Sequence, residues 1–216
     1  MNRLVLAAIA IAFATPSYAL NLIQNGGFEQ HQIANNTWAA VNATTNPTFL
    51  PSWTYFGASN HNVALTGAGY LGQASQQVDV SGGSDTVPSG IFQSVTTVVG
   101  QLYQLTFQVF TGGTSHTGGV NMNVYSGGIN GAALLGASNL QGNLVNGPGG
   151  LKTYTFGFVA TGTTTTVAFS MFSRPVSQID NVSVQAVPEP ITMGLGLAAA
   201  GLFARRRMKA MPRLVA

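Results

Sequence analysis

The chain has 216 residues, of which 6% are charged, and it contains no cysteine, which excludes a disulfide framework and a thiol nucleophile. Its formal charge of +3 belongs to the two ends. Between residues 20 and 187, Lys152 and Arg174 stand against Glu29, Asp79, Asp85 and Asp180, a net of −2, so no basic patch is left for nucleic acid.

In chain order, Arg3, the apolar stretch Leu4 to Ala14 and Ser17-Tyr18-Ala19 have the layout of a secretory signal peptide. Cleavage after Ala19 makes residues 1–19 the signal peptide and Leu20 the new terminus. Residues 20–187 then form one region, long enough for a single domain with its own core.

That region shows no strong helical pattern. Short alternating stretches recur instead. Residues 102–110 place Tyr103, Leu105, Phe107 and Val109 on one face, with Thr106 and Gln108 on the other. Residues 120–125 set Val120, Met122 and Val124 against Asn121 and Asn123. Residues 153–159 align Tyr154, Phe156 and Phe158, and residues 165–171 align Val167, Phe169 and Met171. Period-two alternation of this kind predicts half-buried antiparallel strands. Gly112-Gly113, Gly127-Gly128 and Gly147-Pro148-Gly149-Gly150 supply turn and loop chemistry between them. The expected fold class is all-β, an antiparallel β-sandwich.

Candidate chemistry is sparse. His31, His61 and His116 lie in separate polar stretches without metal-ligand spacing, and there is no Gly-x-Ser-x-Gly elbow. Glycoside hydrolysis needs two carboxylates flanking one bond. Asp79 and Asp85 read more simply as a strand end and an exposed turn, each a solvated aspartate, so a non-enzymatic protein is expected and a polysaccharide hydrolase is the lesser alternative. Sugar rings pack their C–H faces on aromatic rings, which makes Trp38, Tyr70 and Tyr125 the candidate carbohydrate-binding residues. Large aromatics are more often packing than platform, and Trp53 reads as core.

Several segments resemble the galactose-binding-like jelly rolls related to carbohydrate-binding modules. Asn21 to Glu29 (Asn-Leu-Ile-Gln-Asn-Gly-Gly-Phe-Glu) looks like that family's opening strand and turn. Leu50-Pro51-Ser52-Trp53 looks like its Pro-Gly-Trp segment, with Ser52 in place of the glycine. Ile91 to Thr97 followed by Gly100 to Phe107 resembles its central pair of strands, and Ile179 to Val184 its closing strand. The resemblance implies a jelly-roll sandwich in which Glu29 and Asp180, brought together with backbone carbonyls, hold a structural calcium. The alternative is that Glu29 accepts backbone hydrogen bonds and Asp180 closes a turn.

The chain ends on Val187-Pro188-Glu189-Pro190, an uncharged run from Ile191 to Ala204, and Arg205-Arg206-Arg207. Two prolines keep the first part extended. The run of 14 residues would make a helix of roughly 21 Å, short against a hydrocarbon core of roughly 30 Å. This order resembles the PEP-CTERM sorting signal of Gram-negative bacteria. The resemblance implies that Pro188, Glu189, Pro190, Arg205, Arg206 and Arg207 form a sorting motif within residues 188–210, followed by a short tail, 211–216. It further implies an exosortase as processing partner, transient membrane insertion through 191–204, and delivery to the cell envelope, cell surface or extracellular matrix, where polysaccharide is the expected partner. An ordinary tail anchor with a proline-rich spacer is the competing reading. A structural surface protein without a glycan ligand is the competing function.

Overall fold

The alternating stretches become strands of two facing sheets. A computed structural model describes residues 20–57, 61–81, 89–110, 119–129, 131, 133–141, 151–173 and 176–188. The signal peptide, the sorting motif beyond Pro188, the run 191–204, the arginine cluster and the tail 211–216 lie outside the described residues. So do Asp85, His116, Arg174 and the glycine pairs at 112–113 and 147–150.

The strands are β1 (Trp38–Val41), β2 (Thr54–Phe56), β3 (Val63–Thr66), β4 (Gln77–Asp79), β5 (Gly90–Thr96) and β6 (Leu102–Phe110). They continue with β7 (Gly119–Ser126), β8 (Ala133–Gln141), β9 (Lys152–Val159), β10 (Thr164–Ser173) and β11 (Gln178–Ala186). One sheet runs β1-β3-β4-β11-β6-β9 and the other β2-β5-β10-β7-β8, every pairing antiparallel. The fold is an all-β sandwich of the jelly-roll kind. Among the described residues no helix is long and apolar enough to cross a membrane.

The alternation sorts side chains as expected. Tyr103, Leu105, Phe107 and Val109 are buried, as are Val120, Met122, Val124, Val167, Phe169 and Met171. Phe107 meets Phe169 edge-on across the two sheets at 4.9 Å between centroids. Trp53 is core: it lies 5.5 Å from Phe28 and 6.3 Å from Phe169, and its indole N–H donates to the Asn25 carbonyl at 3.0 Å. Burying an aromatic of this size stabilises by roughly 1.5–3 kcal/mol from area alone.

The two strands read as a central pair, β5 and β6, lie in opposite sheets, so their short connection crosses the sandwich. Gln93, though polar, is buried at a core-phase position of β5, because its amide replaces a strand partner: Oε1 accepts from Gln24 N at 2.8 Å and Nε2 donates to Gln24 O at 2.9 Å. The opening segment runs antiparallel to β11, with Leu22 N on Val184 O and Val182 N on Gly26 O. This approach demands a glycine, since a Cβ at Gly26 would lie 2.0 Å from Val182 O. Replacing Phe107 with alanine is expected to cost about 3–5 kcal/mol of unfolding free energy, read as a lower midpoint in urea denaturation.

Candidate functional site

Three places gather polar or aromatic groups. At the first, the turn after the opening segment folds against the start of β4 and the middle of β11. Gln76 organises it: its side-chain N–H groups donate to the carbonyls of Phe28 and His31, and its Oε1 accepts from Ile33 N at 3.0 Å. Glu29 accepts from Gln76 N at 3.0 Å and from Gln32 Nε2 at 2.7 Å. Asp180, fully buried, accepts from Ser75 Oγ at 2.6 Å and from Asn181 N at 2.7 Å.

The structure therefore brings Glu29 and Asp180 to one place, on either side of Gly27. Burial pushes the Asp180 carboxyl up to about 6; the hydrogen bonds from Ser75 and Asn181 oppose the rise and the nearby Glu29 charge adds to it. Asn25, Phe28 and Asn181 all hold left-handed backbone, with φ between 51° and 58°. The Asn181 position coincides with a register shift between β11 and β6. Among the described residues no three acidic or histidine side chains meet, so a cation here would complete its shell with carbonyl oxygens. Two like-charged carboxylates beside an open glycine fit calcium chemically, and Asn181 Oδ1, 3.7 Å from where a Gly27 Cβ would stand, adds a neutral oxygen.

The second place is the outer face of the five-stranded sheet. Strand register sets its side chains in rows. One row reads Thr54, Phe92, Ala168, Asn123, Ala137; the next reads Phe56, Gly90, Ser170, Asn121, Asn139. A third reads Ser94, Thr166, Tyr125, Leu134. Along the middle of β10 the outward side chains Thr166, Ala168 and Ser170 are small, and they are buried between larger neighbours. Phe56 and Phe92 stand on one side, 6.2 Å apart, and Tyr125 with Asn121 and Asn123 on the other. The result is a trough with aromatic walls and amide edges. Beyond Phe92, where β2 no longer covers β5, a recess of about 390 Å³ opens beside Ser94 and Thr96, with Gln24 and Ser52 on its far wall.

The third place is the outer face of the six-stranded sheet. Trp38, 59% exposed, heads a row through Thr66 to Gln77. Tyr70, half-buried, lies in a short 3-10 turn, Tyr70–Gly72, which follows β3. Beneath, Gln178 Nε2 donates to Thr66 Oγ1 at 3.2 Å, while Gln73 Nε2, Gln77 Oε1 and Gln178 Oε1 have no protein partner. Ordered water suits such sites.

The three aromatic candidates thus fall on two faces: Trp38 and Tyr70 with the six-stranded sheet, Tyr125 on the other. Phe56, Phe92, Asn121 and Asn123 join Tyr125 without having been singled out. For Asn121 and Asn123 the sequence signal is the polar phase of β7; Phe56 and Phe92, on β2 and β5, carry none. Asp79, expected to be solvated, ends β4 half-buried with Oδ1 accepting from Ser81 N at 2.8 Å. Burial raises its pKa, against its bonds to Ser81 and Ser177.

Residues 21–185 match the model of a family described as "Protein of unknown function (DUF642)". The chain belongs to the DUF642 family. No curated protein matches this DUF642 chain in sequence. Solved structures of similar chain path include TmCBM61 in complex with beta-1,4-galactotriose, at 14% identity and TM-score 0.49, covering 78% of this chain and 100% of that one. Another is Family 16 Carbohydrate Binding Module-2, at 15% identity and TM-score 0.46, covering 76% and 99%. A third is the CBM22-1 xylan-binding domain of Paenibacillus barcinonensis Xyn10C, at 11% identity and TM-score 0.40, covering 80% and 97%. These likenesses transfer no residue roles to the DUF642 domain.

The Asp180 environment has a pH consequence. A carboxyl whose folded pKa of about 6 exceeds its unfolded value of about 3.9 binds more protons folded than unfolded between those values, so stability falls as pH rises through that window. In chelator, the melting temperature is expected to fall from pH 4 to pH 7. Added calcium is expected to abolish that fall. Equal melting profiles with calcium and with chelator would remove the metal.

Proposed function

We propose that the DUF642 sandwich is a non-catalytic module that binds extracellular polysaccharide along the trough of its five-stranded sheet. The observation that carries this reading is the trough itself: small side chains of β10 at its floor, Phe92 and Tyr125 on opposite walls, and the amides of Asn121 and Asn123 beside them. A pyranose presents a flat C–H face and a rim of hydroxyls. Apolar walls with a few fixed polar groups match that pattern, and no charged side chain is needed. The trough is uncharged among the described residues, which suits a neutral glycan and gives no acid–base pair for cutting one. The calcium reading belongs with this function as structural support: Glu29 and Asp180 would hold the ion, and its charge would offset theirs where the first and last segments meet.

The export reading accompanies it. Residues 1–19 would deliver the chain across the inner membrane. Residues 188–210 would be read by an exosortase, leaving the module at the surface or in the extracellular matrix of a Gram-negative bacterium. Pro188, the one described residue of the motif, is exposed, as a recognised segment must be.

Affinity electrophoresis on the producing organism's extracellular polysaccharide tests the proposal. Phe92→Ala and Tyr125→Ala are each expected to weaken retardation about tenfold or more, the loss of roughly 1.5 kcal/mol expected for one aromatic contact. Trp38→Ala is expected to leave it unchanged. Retardation that survives both trough variants, or none with the parent protein, would refute the trough as the binding site.

A further inference from the structure

Hydrophobic side chains are unevenly distributed over the surface of the sandwich. Eight large ones are exposed among the described residues, and five of them, Leu20, Val98, Val99, Leu102 and Val159, gather at one end. Their exposures run from 42% at Leu102 to 80% at Leu20. Hydrogen bonds fix the grouping. Leu102 faces Val159 across β6 and β9, and Ala160 N donates to Gln101 O at 3.0 Å. Val98 and Val99 lie in the turn before β6, whose Gly100 N donates to Ala160 O. The antiparallel run of the opening segment on β11 carries Leu20 past Leu22 towards Ala186.

Both chain exits lie at this same end. Val187 N donates to Leu102 O at 2.9 Å, and Gln101 Nε2 donates to Val187 O at 2.8 Å, so the last described residues are pinned among the exposed valines. From Pro188 the uncharged run begins three residues on, at Ile191, a reach of about 10 Å for extended chain. Among the described residues, the charged side chains lie elsewhere. Glu29 meets Asp180 near the start of β11, and Asp79 and Lys152 pair with Gln178 and Val109, all towards the opposite end of the strands. A cluster of exposed aliphatic side chains with a neutral Thr and Gln rim is unusual on a water-facing surface and suits the boundary of a lipid headgroup layer.

We propose that this end of the sandwich is a membrane-docking surface, with Val98, Val99, Leu102 and Val159 resting in the headgroup region of the bilayer that receives residues 191–204. The proposal rests on the reading of those residues as membrane-inserting. Docking would hold the rest of the sandwich away from the lipid, keep Pro188 at the membrane surface for a membrane-bound protease, and leave the trough free.

The cysteine-free chain allows a clean test. Full-length protein is reconstituted in phosphatidylcholine vesicles with one environment-sensitive fluorophore on Val98→Cys, Leu197→Cys or Thr153→Cys. Val99→Cys repeats the first in case that position disturbs the turn. Labels at 98 and 99 are expected to be quenched several-fold more by lipid-borne nitroxide than by aqueous iodide, with the label at 153 showing the reverse. A lipid-exposed label at 197 with water-exposed labels at 98 and 99 would overturn the docking surface and leave the inserted tail standing. Water-exposed labels at 197, 98 and 99 would overturn both. Lipid exposure at 98 and 99 without it at 197 would support docking by the valine turn independently of the tail.

Discussion

Asp180 is a carboxylate buried where the two ends of the domain meet, and the surrounding structure is arranged to keep it there. Ser75 and the Asn181 amide bond it, Gly27 leaves space beside it, and Glu29 sits close enough to raise its proton affinity. An unpaired buried carboxylate is costly, and a second one nearby makes it worse. The hydrogen bonds of Gln76 to Phe28, His31 and Ile33 hold the Glu29 turn against this site. Through β11 the same strand then ties β4 to β6 at the centre of the six-stranded sheet. A cation at this point would turn an electrostatic cost into the clasp that closes the sandwich.

With the first and last segments joined by backbone hydrogen bonds, the two sheets present different surfaces. The six-stranded sheet turns a row of buried glutamines outward beneath the 70–72 turn. The five-stranded sheet exposes a neutral trough with phenyl and phenol rings on its walls. Because β10 lies between β5 and β7 and carries the small outward residues Thr166, Ala168 and Ser170, its sequence sets the floor of the trough. Enlarging Ala168 would fill it from below without touching the core, since its neighbours Val167 and Phe169 face the opposite way.

Much of the strand pattern was legible from period two: the inward faces of β6, β7, β9 and β10 follow from alternation, whereas the core position of Trp53 was legible from its size and from the family resemblance of Leu50-Pro51-Ser52-Trp53. The meeting of Glu29 with Asp180 was legible only through a family resemblance, since nothing local to either residue signals a contact 151 positions away in the chain. The trough was hidden for another reason. Phe56 and Phe92 stand on β2 and β5, Asn121 and Tyr125 on β7, and only the order of strands in the sheet makes them neighbours. Gln93 in a core phase blurred the pattern of β5 further, because a buried amide that replaces a missing strand looks in sequence like a surface residue.

The most direct test of the account is to follow backbone amide resonances of the protein while adding oligosaccharides released from the producing organism's own matrix. A sugar in the trough shifts Phe92, Asn123, Tyr125 and Ala168 most, with smaller shifts at Ser94 and Thr96. Shifts centred on Trp38 and Tyr70, or none at saturating sugar, would contradict it.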